Sequence, residues 1–223
     1  MSTNIKTKKS KSNVWKAILW VVLILFIVFL VHALKNFVIT SKLQKEISRY
    51  TSSTNYHLKS IAHEEDGTIV TVNYYTKDGK QFVDMEKNNN GVMTKMLMYN
   101  NRERTDTFIE TADSKTVKLN NGSISVNIVN YLDSYNSWQT FLISAVISIR
   151  NKECNGKDCY EIKNYISPNF MFLGNDEEIY LEKNTGLDVK NVMNGIVSER
   201  EYEFDNVNDS VFTEPDIGQY TIK

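Results

Sequence analysis

The histidines and cysteines are the residues in this chain best suited to catalysis or metal binding, and their spacing argues against both. There are three His and two Cys. His57 and His63 have the same strand parity, and in one strand they would lie roughly 20 Å apart, too far to share a metal ion. The sequence contains neither a His-Glu-x-x-His motif nor a Gly-x-Ser-x-Gly elbow. We therefore expect no catalytic residue, no metal site, no cofactor and no enzymatic activity.

The two cysteines flank a tight-turn signal. Cys154 and Cys159 are separated by Asn-Gly-Lys-Asp, and Asn-Gly favours a hairpin. A four-residue turn would place the two thiols side by side, within disulfide reach. We expect a structural disulfide between them, with two reduced thiols as the alternative. The spacing is not Cys-x-x-Cys, so it supports neither a thioredoxin-type redox site nor a structural zinc site.

Acidic clusters and methionines complete the set of candidate residues. The acids in Asp176–Glu178 and Glu199–Asp205 lack the ligand spacing of a calcium loop, and we interpret them as solvated strand edges. Methionine suits either a cavity that accepts varied acyl chains or ordinary core filling. Two aromatic residues have a similar pair of alternatives, as a lid over the cavity or as part of the apolar stripe that packs a helix into the core. The candidates are Met93, Met96, Met98 and Met171, with Trp138 and Phe141.

An uncharged apolar segment lies near the N-terminus. From Ala17 to Leu34 there is no Lys, Arg, Asp or Glu. As a helix this segment reaches roughly 27 Å, close to the hydrocarbon thickness of a bilayer. The lone His32 lies near its outer end, where a polar residue is tolerated. A cleaved signal peptide is the alternative, since Val31-His32-Ala33 offers small residues for cleavage, but the apolar run is longer than a signal peptide needs.

Charge sets the expected orientation and excludes one class of partner. Five lysines and no acid precede the apolar segment, which predicts a cytoplasmic N-terminus and a single-pass protein of the cell membrane. We expect a basic tail over 1–16, a transmembrane signal-anchor helix over 17–39 and an extracytoplasmic β-rich domain over 40–223. The net charge is −1, or −6 without those five lysines. Such a domain is a poor partner for nucleic acid.

Periodicity predicts an α+β domain. A helical pattern continues over Lys35–Tyr50, and apolar positions from Tyr131 to Ile149 recur every three or four residues, which predicts an inserted amphipathic helix at about Tyr131–Ser148. Elsewhere the period is two, and turn residues separate short runs. The predicted strands are Ile69–Tyr75, Gln81–Lys87, Val92–Tyr99, Thr105–Glu110, Thr116–Leu119, Ser123–Ile128, Tyr160–Ile166, Glu178–Lys183, Leu187–Met193 and Val197–Phe204.

The segment Ile179–Leu187, with its Glu-Lys-Asn-Thr-Gly-Leu turn, resembles a signature hairpin of LolA/LolB-like lipoprotein carriers. The tail from Glu201 to Asp216 is similar to the closing strand and exit of that superfamily, and Val72–Gly79 fits an early strand pair. The resemblance implies a curved antiparallel β half-barrel, with helices across its open face and a lipid-binding cavity between them. The predicted anchor departs from the soluble carriers of the superfamily, which shuttle freely.

This resemblance implies a membrane-anchored envelope domain that binds a lipid or a lipoprotein, as a carrier or a sensor. In that fold the inserted helix lies across the concave face, so Trp138 and Leu142 would point into the cavity. The expected cavity residues are Met96, Met98, Trp138, Phe141 and Leu142. The expected partners are the bilayer, an acyl-chain or lipid ligand and an envelope protein. The alternative is a structural or interaction module of the envelope with a filled core and no ligand.

Overall fold

The computed structural model describes residues 7–101, 104–121, 135–164 and 177–223. The chain begins with helix α1 (Thr7–Ile47), followed by β1 (Asn55–His63), β2 (Ile69–Lys77), β3 (Lys80–Asn89), β4 (Val92–Asn100), β5 (Arg104–Glu110) and β6 (Lys115–Asn121). Helix α2 (Ser137–Val146) precedes β7 (Ile147–Cys154), β8 (Lys157–Asn164), β9 (Glu178–Glu182), β10 (Asp188–Met193), β11 (Ile196–Phe204) and β12 (Thr221–Ile222). The predicted strand Ser123–Ile128 and the candidate Met171 lie outside the described residues.

The strands form one large, open, curved sheet. The described residues contribute twelve strands in the order β12-β6-β5-β4-β3-β2-β1-β11-β10-β9-β8-β7. Neighbouring strands are antiparallel, except that β12 runs parallel to β6. The predicted α+β class, with a long apolar helix before a mainly antiparallel sheet, is confirmed.

Several hairpins close through two-residue turns with positive φ at both positions. In each, an Asn or Asp precedes a Gly, the pair that tolerates this conformation best and that matches the twist of the flanking strands. These turns are Asp78-Gly79, Asn90-Gly91, Asn155-Gly156 and Asn194-Gly195. The four-residue turn predicted between the cysteines is therefore wrong, because Asn155-Gly156 alone makes the turn and Lys157 already pairs with Cys154.

Helix α1 serves as a candidate membrane span and as part of the core. The part from Val14 to Ile47 is long and apolar enough to cross a membrane, and its side chains from Val14 to Val31 are exposed. Further along, one stripe becomes fully buried at spacings of three and four residues. The stripe consists of Ala33, Asn36, Thr40, Leu43 and Ile47. The helix therefore passes from the apolar segment into the domain without a break.

Polar side chains lock α1 to α2. The buried Asn36 side chain donates to the carbonyl oxygens of Ser144 at 3.0 Å and of Ile147 at 2.8 Å. Ser144 belongs to the last turn of α2 and Ile147 is its C-cap, where no further helical N–H can pair with these carbonyls. The hydroxyls of Thr40 and Ser144 lie 2.9 Å apart. Nearby, His32 Nε2 lies 3.1 Å from the Ile147 carbonyl oxygen. This cluster holds the end of the apolar segment against the domain.

Helix α2 is shorter than the predicted helix. Asn136 caps it, and the Asn136 side chain accepts from the Gln139 N–H while Gln139 Oε1 accepts from the Asn136 N–H. The helix ends at Val146 because Ile147, Ser148 and Ile149 instead pair with β8. Residues 131–134, which the prediction placed in this helix, lie outside the described residues.

Two apolar layers lie on opposite faces of the sheet. The face that contacts α1, which we call the helix face, carries two clusters. One joins Leu43 and Ile143 to isoleucines of β7, β8 and β9, and the other joins Ile47 to residues of β1, β2 and β3. The other face carries a ladder of aromatic rings, Tyr75, Phe82, Tyr99 and Phe108, which the C-terminal segment covers through Val211, Phe212, Ile217 and Tyr220.

Candidate ligand-binding surface

A row of uncharged residues crosses the helix face of the sheet. Strand register places Ser60 opposite Val72, Val72 opposite Met85, Met85 opposite Met96 and Met96 opposite Ile109. Side chains directly opposite one another in antiparallel strands share a face. All of these residues are half-buried. The row is therefore an apolar strip that the rest of the protein covers only in part.

A second row lies beside the first, closer to the end of α1. It runs from Leu58 through the buried Tyr74 and Val83 to Met98. Leu58, Val72 and Met98 pack against the cluster that contains Ile47. We call the half-buried apolar residues of both rows the methionine surface. It consists of Leu58, Val72, Met85, Met96, Met98 and Ile109.

A buried ion pair lies at one end of the methionine surface. Arg200 stands opposite Ser60 and contacts the Asp188 carboxylate, which is fully buried. Tyr202, next to Leu58 across the strands, donates a hydrogen bond to the same carboxylate. Burial, and secondly the charge of Asp188, raise the pKa of the Tyr202 hydroxyl far above its usual value. The hydroxyl therefore stays protonated and acts as a donor.

The structure brings together only part of the predicted cavity set. Met96 and Met98 lie on the methionine surface, beside Met85 and Ile109, which the sequence analysis did not single out. The alternation along β3 and β5 predicts the face of each strand on which Met85 and Ile109 lie. Only the strand register shows that these faces coincide with the face of Met96. Met93 has the opposite parity on β4 and is exposed.

The predicted orientation of the α2 side chains is wrong. Trp138 is 66% exposed and Leu142 is 48% exposed, so they do not point between the helix and the sheet. The α2 residues that face inward are Thr140, Ile143, Ser144 and Ala145. Phe141 is half-buried between Trp138 and Phe37, at ring-centroid distances of 5.9 Å from each. These three predicted residues therefore lie on the outer side of the helix pair, apart from the methionines.

The two cysteines are free thiols in the structure. Cys154 pairs with Lys157 and Cys159 with Lys152, so the thiols are diagonal neighbours and not directly opposite as predicted. Both are buried beside Val189 and Tyr180. Burial raises the pKa of the Cys154 thiol, and burial together with the neighbouring Cys154 raises the pKa of Cys159 to about 12. Both groups are therefore protonated and poorly nucleophilic near neutral pH.

We expect the folded protein to resist alkylation by iodoacetamide at pH 8, because the thiols are buried and protonated. After unfolding in guanidinium chloride without a reductant, both should be alkylated. Intact mass measures the number of adducts, and a reduced and unfolded sample defines the maximum. An unfolded sample that gains adducts only after reduction would contradict the free-thiol state and support the disulfide.

Metal-binding geometry is absent from the described part of the chain, where His, Cys, Asp and Glu form no group of three or more able to hold an ion. His57 lies on the face opposite α1, stacked on Tyr75 with ring centroids 4.3 Å apart. Its Nε2 lies 3.2 Å from the Asn73 side-chain oxygen. His57 thus has a packing role there, and His63 is exposed at the end of β1.

Comparisons with known proteins identify no family for this chain. No family model matches it, and no curated protein matches it. A similar solved structure is described as an uncharacterized conserved protein from Thermus thermophilus. It is 7% identical, with a TM-score of 0.48 over 82% of this chain and 98% of that chain. This likeness is too distant to bear on the function.

Proposed function

We propose that this protein is a membrane-anchored, extracytoplasmic domain of the bacterial envelope that binds an acyl chain or lipid on its methionine surface. In this proposal α1 spans the membrane with its N-terminus in the cytoplasm, and the sheet belongs to a LolA/LolB-like half-barrel. The basic residues before the apolar segment support the orientation. The curved sheet with α1 against one face is consistent with the half-barrel.

One observation carries the proposal. The row from Ser60 to Ile109 crosses five strands on the helix face without a charged side chain, yet it is only half-buried. Leaving apolar area accessible to water costs roughly 25 cal/mol per Å² relative to burying it. Methionine side chains adapt to chains of varied shape. An acyl chain along this row would bury the remaining apolar area without requiring a polar partner.

A structural module without a ligand is the second candidate. The packing of Leu58, Val72 and Met98 against the Ile47 cluster favours it, because these residues already contribute to the core. The two candidates predict different contacts for Met85 and Met96, which lie farther from that cluster. An acyl chain contacts these residues in the first candidate, and no ligand does so in the second.

The test is photocrosslinking of the full chain in bilayers that contain a fatty acid with a photoreactive group on its acyl chain. We expect crosslinked peptides from β3 and β4 in addition to those from α1. Met96→Gln places an amide against the acyl chain and should lower the β3–β4 yield about tenfold, the equivalent of ~1.4 kcal/mol. Peptide mass spectrometry, with the α1 crosslinks as the internal reference, measures the yield.

Met93→Gln is the matched control, because Met93 lies on the same strand but on the opposite, exposed side. It should leave the crosslinking yield unchanged. Crosslinks confined to α1, or an equal loss in both variants, would favour the structural module.

A further inference from the structure

The joint between α1 and the domain consists of the hydrogen bonds of His32, Asn36 and Thr40 to α2 and its C-cap. This joint fixes how far along α1 the residues of α2 lie from the apolar segment. Asn36 and Thr40 bind the last turn of α2, and His32 reaches the Ile147 carbonyl oxygen. Asn36 and Thr40 are both fully buried. Since α1 continues through this joint as a helix, no flexible linker separates the exposed apolar segment from the domain.

Helix α2 runs antiparallel to α1. Gln44 donates to the Tyr135 carbonyl oxygen at 3.2 Å, and the Phe37 ring meets the Phe141 ring halfway along. At the other end Asn36 binds the Ile147 carbonyl oxygen. This pairing puts Leu142 at about the level of Val38, and Trp138 about one helical turn farther from the apolar segment.

The levels of Leu142 and Trp138 along α1 coincide with the expected edge of a bilayer. Lys16 marks the inner limit of the uncharged segment, and a core of about 20 residues counted from Ala17 ends near Asn36. At 1.5 Å per residue, Leu142 then lies roughly 3 Å beyond the hydrocarbon boundary and Trp138 roughly 9 Å beyond it. The headgroup layer on each side is roughly 5–8 Å thick. Leu142 therefore lies within that layer, and Trp138 lies about 1 Å beyond its outer limit.

The outward face of α2 has the chemistry of an interfacial helix. The helix carries no charged residue, and Trp138 and Leu142, one turn apart, form its exposed apolar face. Trp138 is stacked on Phe141, which in turn contacts Phe37 of α1. Tryptophan is enriched at the headgroup level of membranes, where its ring is partly apolar and its N–H remains hydrated.

We infer that the outer face of α2 is a second membrane contact beside α1, with Leu142 within the headgroup layer of the outer bilayer surface and Trp138 at the outer edge of that layer. The inference rests on the proposed anchoring of α1 but not on the proposed ligand. The contact holds the sheet at a constant tilt next to the bilayer. The exposed cations Lys35 and Lys42 on α1 lie on either side of these levels, Lys35 at the hydrocarbon boundary and Lys42 near the level of Trp138, so both can reach lipid phosphates.

The three tryptophans of the chain allow a direct test in liposomes of phosphatidylcholine and phosphatidylglycerol. One variant, Trp15→Phe with Trp20→Phe, retains Trp138. The other, Trp15→Phe with Trp138→Phe, retains Trp20, which lies within the apolar segment about one helical turn from its inner limit at Lys16. Each full-length variant is reconstituted with lipids that carry a nitroxide either on the headgroup or deep in the acyl chain, and tryptophan quenching is measured.

We expect the headgroup nitroxide to quench Trp138 at least about twofold more than the deep nitroxide, as for a side chain at the interface. Trp20 should show the reverse order. In the Trp138 variant, Leu142→Gln should weaken this quenching because it removes the neighbouring apolar group. Leu119→Gln is the matched control, since Leu119 is similarly exposed on β6, and it should not change the quenching.

The two tryptophans separate failure of the inference from failure of the anchor. If the deep nitroxide quenches Trp20 while neither nitroxide quenches Trp138, the anchor is supported and the second contact is overturned. Protection of Trp138 from both nitroxides and from aqueous acrylamide would assign the face to a protein neighbour, which also overturns the inference. If Trp20 is not quenched by the deep nitroxide, the anchoring and the inference both fail.

Discussion

Asp188→Asn is expected to lower the free energy of unfolding by about 3 kcal/mol, because removing one charge of a buried pair leaves the other uncompensated. Asp188 is fully buried, accepts a hydrogen bond from Tyr202 and contacts Arg200, whose side chain is 21% exposed. An Asn side chain keeps the shape but loses the charge that balances the guanidinium. Urea unfolding of the full chain in micelles, followed by circular dichroism, measures the difference.

Asp158→Asn is the matched control for this substitution. Asp158 is 81% exposed and lies 3.8 Å from the Lys183 ammonium. An exposed ion pair of this kind contributes little, so the free energy of unfolding should fall by less than about 0.5 kcal/mol. Equal losses in the two variants would show that the Asp188 pair has no special role in holding β10 to β11.

Gly186→Ala is expected to cost about 3 kcal/mol of stability. Gly186 has a φ of +73°, and a Cβ there would lie 2.7 Å from the Leu43 backbone oxygen and 3.1 Å from the Ile47 Cβ. The left-handed conformation costs an alanine about 1–2 kcal/mol, and overpacking against helix backbone adds a similar amount. The β9–β10 turn and the last turn of α1 would have to separate.

Gly156→Ala isolates the contact from the conformational cost. Gly156 has nearly the same φ, +74°, but a Cβ added there meets nothing within 4 Å. The difference between the two variants in chemical unfolding therefore measures how closely α1 approaches the sheet. If Gly156→Ala is as damaging as Gly186→Ala, α1 does not lie against this turn as described.

The approach of α1 to Gly186 links the candidate span to the candidate binding surface. Ile47, which lies against Gly186, packs in the same cluster as Met98 and Val72. At its other buried end the same stripe of α1 binds α2 through Asn36. One continuous helix thus joins the apolar segment, α2 and the methionine surface.

Most strand positions and most turn positions were predictable because they depend on neighbours in sequence. Asn-Gly and Asp-Gly pairs specify tight turns, and alternation specifies strands. The local signal failed where tertiary pairing competes with it. Ile147 and Ile149 fit a helical stripe equally well, but pairing with β8 makes them strand residues. Strand β1 was missed for a different reason, because its residues Asn55–His63 show no clear alternation.

The amino-acid sequence by itself determined the long apolar helix, the α+β class and the position of most turns, since each depends on composition or on residues a few positions apart. The tertiary structure alone decided which methionines share a face and where Trp138 and Leu142 point. Strand register, not spacing, sets Met85 opposite Met96. The spacing of apolar residues along a helix likewise predicts which residues share a face, but not which element that face contacts. Contact with α1 buries Thr140, Ile143 and Ser144 of α2, whereas Trp138 and Leu142 remain exposed.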